Sequence, residues 1–156
     1  MNNELKLHPA PQWQVEQWFN TDSPPTLQSL RGKVIVLEAF QMLCPGCVSH
    51  GLPVAMRVHE TFSREQVAVI GLHTVFEHHQ AMTPVSLQAF LYEYRIHFPV
   101  GVDRADGESA MPQTMRAYAM QGTPTTILID TLGNLRKQYF GQVNELLLGA
   151  QIASLL

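Results

Sequence analysis

The only two cysteines of the chain lie close together, as Cys44-Pro45-Gly46-Cys47, directly after the apolar run from Val34 to Phe40. A buried strand that leads into a helix at this point places a sulfur where unpaired backbone N–H groups and the helix dipole stabilise a thiolate. Two intervening residues let the second sulfur reach the first. The pair is therefore predicted to be the chemical centre of the molecule, and a structural disulfide is disfavoured because it would close so short a loop that it would restrain little of the unfolded chain.

Length and composition predict one domain that spans residues 1–156, because 46% hydrophobic content can fill a single core. A net charge of -3 with 15% charged residues provides no basic stripe, so neither nucleic acid nor a membrane surface is expected as a partner. No secretory signal can be read near Met1, and no apolar run reaches the roughly 18 residues of a membrane span. These features predict a cytoplasmic protein, in which an isolated Cys-X-X-Cys is catalytic or metal-binding more often than structural.

Strand-like and helix-like segments alternate along the chain. Apolar and β-branched runs predict strands over 13–19, 33–40, 66–73, 98–102, 125–130 and 135–140. Helical periodicity predicts helices over 47–63, from Pro84 onward, over 111–120 and over 143–155, with a kink at Pro53 in the first. Leu132-Gly133-Asn134 is typical of a hairpin turn. This order predicts an α/β fold of three layers, with helices on both faces of the sheet.

The strand, the Cys-X-X-Cys pair, the kinked helix and Gly122-Thr123-Pro124 before a hairpin together resemble the thioredoxin superfamily. Leu30-Arg31-Gly32-Lys33-Val34 is similar to the redoxin branch, close to TlpA-like thiol-disulfide oxidoreductases. The likeness runs from about Trp13 to the carboxyl end. It implies a thioredoxin-like α/β/α sandwich with a mixed central sheet. It also implies exchange of disulfides with protein or small-molecule thiols, without a bound cofactor.

The resemblance implies a role for each cysteine and for one acid. Cys44 would be the attacking thiol, since it lies at the helix entrance, and Cys47 the resolving thiol, shielded one turn inside. Glu38 lies six residues before Cys44, where thioredoxins carry a buried acid beneath the second cysteine. A desolvated carboxyl there could take and return the proton of Cys47. The alternative is a glutamate at a strand end that reaches water.

The loop Gly122-Thr123-Pro124 matches the loop that the family places against the dithiol with a cis proline. X-Pro bonds are usually trans, so the resemblance alone predicts the cis form here. A cis Pro124 would leave the Thr123 backbone free to pair with an extended substrate. Thr123 and Pro124, together with Pro45 and Gly46 between the cysteines, are therefore the predicted substrate-binding residues, and no metal site is assigned.

Some positions depart from the family pattern. Met42-Leu43 precede Cys44 where many relatives have Trp, which predicts a different substrate fit. His50 stands where TlpA-like proteins often have Glu, and it either stabilises a thiolate or faces solvent. Peroxiredoxins need Thr and Pro ahead of their reactive cysteine, and Gln41 and Leu37 occupy those places. A redoxin-type peroxidase is therefore disfavoured as an alternative.

A metal carrier is the non-catalytic alternative. Cys44 and Cys47 with a histidine such as His73 could hold a soft metal such as copper or zinc. Copper-carrying relatives, however, use a longer cysteine spacing. The adjacent His78 and His79 would point apart on regular structure, so a solvated loop is the preferred interpretation there.

Overall fold

The structure, a computed structural model, describes residues 7–156 and contains a mixed sheet of seven strands. Residues 1–6, part of the stretch used above to argue against a secretory signal, lie outside this range. The strands are β1 (His8–Pro9), β2 (Val15–Phe19), β3 (Val34–Phe40), β4 (Val67–His73), β5 (Val100–Asp103), β6 (Thr125–Ile129) and β7 (Asn134–Phe140). They lie side by side in the order β1-β7-β6-β3-β4-β5-β2.

Strand β3 runs through the middle of this sheet. It pairs in parallel with β4 and antiparallel with β6, and β4 pairs in parallel with β5. All of its residues are buried, as expected of a continuous apolar run whose two faces are both covered. The remaining pairs, β6 with β7, β2 with β5 and β1 with β7, are antiparallel. The predicted mixed sheet is confirmed, and its central strand leads directly to Cys44.

In the described range, four helices cover the sheet: α1 (Leu52–Thr61), α2 (Pro84–Glu93), α3 (Gln113–Ala117) and α4 (Glu145–Ser154). Apolar side chains of α1, α2 and α4 pack into one core cluster with the even-numbered residues Val34, Val36 and Phe40 of β3. Ile35 and Leu37 instead pack on the opposite face, with Met115 of α3. Helices on both faces make the three-layer α/β/α sandwich of a thioredoxin-like fold.

The predicted kink at Pro53 takes the form of a π-helical turn over Cys47–Gly51, directly before α1. The backbone N–H of Leu52 bonds back to the carbonyl of Cys47, five residues earlier. Proline has no N–H to donate to the carbonyl four residues earlier, so the regular helical hydrogen-bond pattern is interrupted at Pro53. A wider turn directly before it accommodates this interruption. This π-helical turn carries Cys47 and brings Gly51 close to the central strand.

The other elements match the prediction with shifted bounds. The fifth strand begins at Val100 rather than Phe98 and extends to Asp103, and the third helix is only five residues long. Strand β1 was not predicted, because two residues that include a proline carry no periodic signal. Within residues 7–156, no helix combines the length and the apolar character that a membrane crossing needs.

Candidate active site

The two cysteines differ sharply in exposure. Cys44 lies in the turn after β3 and is half-buried, whereas Cys47 lies in the π-helical turn and is 0% exposed. Both thiols are free. The backbone N–H of Cys47 donates to Cys44 Sγ at 3.2 Å and to the Cys44 carbonyl oxygen at 3.1 Å. An N–H group directed at Cys44 Sγ stabilises negative charge on that sulfur.

Burial governs the protonation of Cys47. Desolvation raises the pKa of the Cys47 thiol, and its contact with Cys44 raises the pKa further. Hydrogen bonding with the Gln41 backbone and the Thr123 side chain lowers it, but does not reverse the direction. Cys47 therefore holds its proton at neutral pH, while the Cys44 sulfur is the one that a reagent can reach.

Glu38 is a fully buried acid at the centre of the sheet. Its side chain lies on the same face of β3 as Val36 and Phe40, the face that packs against the cluster containing Cys47. Thr126, which lies opposite Glu38 on the neighbouring strand β6, donates a hydrogen bond to Glu38 Oε2 at 2.7 Å. Oε1 has no hydrogen-bond partner among the described residues. The prediction of a buried acid is confirmed, and the alternative of a water-exposed glutamate is wrong.

Burial also raises the pKa of the Glu38 carboxyl well above its usual range. The hydrogen bond from Thr126 lowers the pKa in part, and the charge of Cys44 raises it further. The raised pKa therefore favours the protonated form of Glu38 on the side of the sheet that carries the dithiol. Oε2 accepts from Thr126, so Oε1 is the oxygen that lacks a hydrogen-bond partner among the described residues.

The peptide bond between Thr123 and Pro124 is cis, as the resemblance predicted. Cys44 Sγ donates to the Thr123 carbonyl oxygen at 3.5 Å, although the two residues are 79 positions apart. Pro45 is exposed and Gly46 half-buried, and a Cβ built on Gly46 would lie 3.4 Å from the Pro124 ring. The structure thus brings the predicted substrate-binding residues together beside Cys44.

Gly51 is a site residue that sequence reasoning missed. A Cβ at this position would lie 2.6 Å from Glu38 Oε1 and 2.7 Å from Pro124 Cβ, closer than real side-chain atoms approach. The absence of a side chain therefore lets the helix, the acid and the Thr123–Pro124 loop meet at one point. A glycine inside an apolar helical pattern was the available signal, because such a residue often marks close packing.

Gln41 was also missed, having been considered only as a departure from peroxiredoxins. It is 1% exposed, and its amide contacts the Thr123 side chain and the segment after β4. Thr126, which binds the acid, lies on a strand whose register with β3 is invisible in the sequence. No sequence signal identifies either contact, because both join segments more than 30 positions apart.

The histidines do not build a metal site with the dithiol. His73 is 1% exposed, and its Nε2 accepts the backbone N–H of Met42 at 3.3 Å. Burial lowers the pKa of His73 to about 4, so the ring is neutral near pH 7. Within residues 7–156, no three side chains of the metal-ligating acidic, histidine or cysteine types come together. The three-ligand site of Cys44, Cys47 and His73 is therefore not assembled.

The histidines singled out in the sequence besides His73 lie on or near the surface. The Nε2 atom of half-buried His50 lies 3.2 Å from the Val143 carbonyl oxygen, to which it donates. The ring thus fastens the π-helical turn to the segment before α4, a contact that neither interpretation of His50 anticipated. His78 and His79 are exposed in a loop, in accord with the solvated interpretation.

A sheet of this topology, with a dithiol at the helix that follows its central strand, defines a thioredoxin-like redoxin. Comparison with known proteins agrees, since residues 7–138 match the AhpC/TSA family. That match covers most of the sequence, and the chain belongs to the AhpC/TSA family.

Two crystal structures are similar over nearly their whole length. A thioredoxin-like superfamily protein is 64% identical and superimposes with a TM-score of 0.93, over 95% of this chain and 96% of that one. A thiol-disulfide isomerase from Corynebacterium glutamicum is 48% identical with a TM-score of 0.89, over 94% of this chain and 96% of that one. These likenesses place the chain among thiol-disulfide oxidoreductase-like proteins.

Curated relatives are more distant. The thiol-disulfide oxidoreductase ResA of Halalkalibacterium halodurans is 26% identical, over 76% of this chain and 60% of that protein. Protein DipZ of Mycobacterium bovis is 28% identical, over 82% of this chain. The match spans only 18% of the length of DipZ.

Proposed function

We propose that the chain exchanges disulfides with protein or small-molecule thiols through Cys44 and Cys47. One observation carries this proposal. The half-buried Cys44 sulfur receives the Cys47 backbone N–H at 3.2 Å, while the Cys47 thiol is fully buried with a raised pKa. One sulfur is thus accessible and within reach of a backbone N–H donor, and the other lies buried behind it.

In the reductive direction, the Cys44 thiolate attacks one sulfur of a substrate disulfide. A bond forms between Cys44 and that sulfur, and the other substrate sulfur leaves as a thiolate. Cys47 then loses its proton and attacks Cys44 Sγ, which forms the Cys44–Cys47 disulfide and releases the second substrate thiolate. The two electrons gained by the substrate come from the dithiol. The reverse sequence oxidises a substrate dithiol.

Glu38 is proposed to move the proton of Cys47. Resolution needs a base for the buried thiol, and the reverse reaction needs an acid for the departing Cys47 thiolate. A carboxyl whose pKa is raised by burial, with Oε1 unpaired among the described residues, suits both tasks. No hydrogen bond joins Glu38 to either sulfur in the part of the chain that the structure describes, so transfer requires movement of the side chain or a relay.

The Thr123–Pro124 loop is proposed as the edge on which an extended substrate docks. The Thr123 carbonyl lies 3.5 Å from Cys44 Sγ, so a substrate strand paired with this backbone would present its sulfur at the nucleophile. Pro124 has no N–H that could compete for the same partner. Pro45 and Gly46 complete the surface around Cys44 without adding charge.

Trapping of the mixed disulfide tests this assignment, with insulin as the disulfide substrate. We expect Cys47→Ser to accumulate a covalent adduct through Cys44, detected by mass spectrometry, and Cys44→Ser to accumulate none. In the reduced wild type, iodoacetamide at pH 7 is expected to modify Cys44 much faster than Cys47. Equal rates, or an adduct through Cys47, would contradict the assigned roles.

Two parallel measurements separate the alternatives. Turnover of hydrogen peroxide without turnover of insulin would identify a peroxidase. Stoichiometric copper or zinc in protein purified under reducing conditions, without insulin reduction, would identify a metal carrier. We expect insulin reduction with neither of these results.

A further inference from the structure

The side-chain amide of Gln41 joins three segments around the dithiol. Its Oε1 accepts the backbone N–H of Phe76 at 3.1 Å. Its Nε2 lies 3.5 Å from Thr123 Oγ1 and 3.4 Å from Glu77 Oε1, and donates to both. The amide therefore links the turn before Cys44, the loop after β4 and the Thr123–Pro124 loop.

The proposed exchange reaction assigns no step to the Gln41 side-chain amide. The amide is nevertheless almost fully buried. Gln41 is 1% exposed and follows a strand whose neighbouring positions are apolar. A buried amide is costly unless its donors and acceptors are paired, and here they are paired with loops rather than with the strand ladder. An apolar side chain would fill the same volume, but it would leave the Phe76 N–H and the Thr123 hydroxyl without these partners.

Thr123 connects the amide to the reacting sulfur. The Thr123 hydroxyl oxygen accepts a hydrogen bond from Gln41 Nε2, and the Thr123 carbonyl oxygen accepts one from Cys44 Sγ at 3.5 Å. The Gln41 backbone carbonyl also accepts the N–H of Cys44 at 3.2 Å. One residue thus holds both the loop that carries the nucleophile and the loop that faces it.

We propose that Gln41 is a positioning residue that fixes the Thr123 edge at the right distance from Cys44 for an extended polypeptide disulfide to dock. The inference rests on the proposed function, and it narrows the substrate class to disulfides within extended polypeptide. A small disulfide needs only the sulfur of the half-buried Cys44, so its reaction does not depend on the amide. Glu77 supports the arrangement from outside, because its exposed carboxylate accepts from the same Nε2 atom.

The test compares two substrates on Gln41→Leu, a change that keeps the size of the side chain but removes its hydrogen bonds. Loss of hydrogen bonds of this kind is expected to raise KM for insulin by about tenfold with kcat little changed. The rate of reaction of Cys44 with 2,2′-dithiodipyridine is expected to stay within about twofold of the wild type, because the substitution leaves in place the Gln41 backbone carbonyl that accepts the Cys44 N–H. An unchanged KM for insulin, or an equal loss on both substrates, would overturn the proposal.

A second pair of variants keeps the proposal testable if Gln41→Leu does not fold. Gln41→Glu removes the amide donor and sets two carboxylates against each other, so KM for insulin should rise. Adding Glu77→Gln restores a donor and acceptor pair with the positions exchanged, and KM should return toward the wild-type value. Absence of rescue in the double variant would overturn the positioning role.

Failure of the proposed function is a different result. It would appear already in the wild type, as no reaction of Cys44 with either insulin or 2,2′-dithiodipyridine. Failure of this inference would appear only in the Gln41 variants, with the wild type fully active on both.

Discussion

Two carboxyl groups are buried within strands of the part of the sheet that the structure describes, and their surroundings differ. Asp103 at the end of β5 accepts three hydrogen bonds, from the backbone N–H groups of Thr114 and Met115 and from the Thr74 hydroxyl, each at 2.9 Å. Glu38 in β3 accepts one, from Thr126, and its Oε1 has no partner among the described residues. Burial raises the pKa of both acids, but the hydrogen bonds to Asp103 lower its pKa in part.

The difference separates an acid whose two oxygens are both paired from an acid with one oxygen that lacks a partner among the described residues. The bonds to Asp103 fasten β4, β5 and the start of α3 together, so its desolvation is offset by paired donors. Glu38 has an oxygen left over, next to Gly51 and on the dithiol side of the sheet. A buried polar atom without a partner lowers stability, and carboxyl groups with strongly perturbed pKa values are concentrated at functional sites.

The largest expected effect is on the reaction. Glu38→Gln should slow the resolution of the mixed disulfide by about 10²-fold, because it removes general acid-base help from Cys47, and should slow its formation much less. Stopped-flow measurement of both phases distinguishes the two steps. Asp103→Asn is the matched control and should leave both phases within about twofold of the wild type. If both variants resolved the mixed disulfide equally slowly, the effect of Glu38→Gln would be structural and not catalytic.

The second expected effect is a loss of stability on substitution of Asp103. Asp103→Asn should lower the free energy of unfolding by about 2 kcal/mol, since its amide cannot accept from all three donors and one buried N–H group loses its partner. Urea denaturation at pH 7 measures this change. A decrease in the free energy of unfolding of less than a few tenths of a kcal/mol would mean that the three hydrogen bonds contribute little to stability. The structural role of Asp103 would then be refuted.

Gly51→Ala tests how tightly the Glu38 region is packed. The added methyl group must displace Glu38 or the Pro124 ring, so we expect the free energy of unfolding to fall by about 1–2 kcal/mol and insulin reduction to slow. Gly149 in α4 is the control, because a Cβ there meets nothing within 4 Å. Gly149→Ala should stabilise the protein by up to about 1 kcal/mol, as alanine does within helices. Equal effects of the two substitutions would refute the close contact.

The last effect is a difference in pH dependence, and it is small at any single pH step. The Glu38 pKa is raised on folding, so the stability tied to this group is fully present below its unfolded pKa and lost as pH rises toward its folded pKa. Glu38→Gln should therefore gain stability relative to the wild type as pH rises above about 4.5, by at most about 1.4 kcal/mol per pH unit. Thermal unfolding from pH 4 to pH 8 tests this, and Asp103→Asn should show a weaker gain. A parallel pH profile in wild type and Glu38→Gln would contradict the raised pKa.

The central strand and the dithiol could be predicted because their signals are local. Seven consecutive residues without a turn former specify β3, and Cys-X-X-Cys specifies the start of the helix. The buried state of Glu38 and the cis bond before Pro124 were predicted from the resemblance, and the structure confirms both. The catalytic and binding roles of these residues stay predictions.

The parts that could not be predicted depend on pairing between distant segments. Strand β1 exists only because His8 and Pro9 lie beside β7, and their own composition indicates no strand. The partners of Gln41 come from positions 76, 77 and 123, and the close approach at Gly51 depends on where the π-helical turn places it. Such contacts follow from strand register and helix packing, which the sequence of one chain does not display.

The contact between Thr123 and Cys44 has a consequence during synthesis of the protein. The carbonyl that faces the reacting sulfur belongs to a residue added 79 positions later. At about 5–20 residues per second, a ribosome takes roughly 4–16 s to reach it. For that interval the nascent chain carries both thiols without the loop that later faces Cys44, so the pair is open to oxidation before this contact can form.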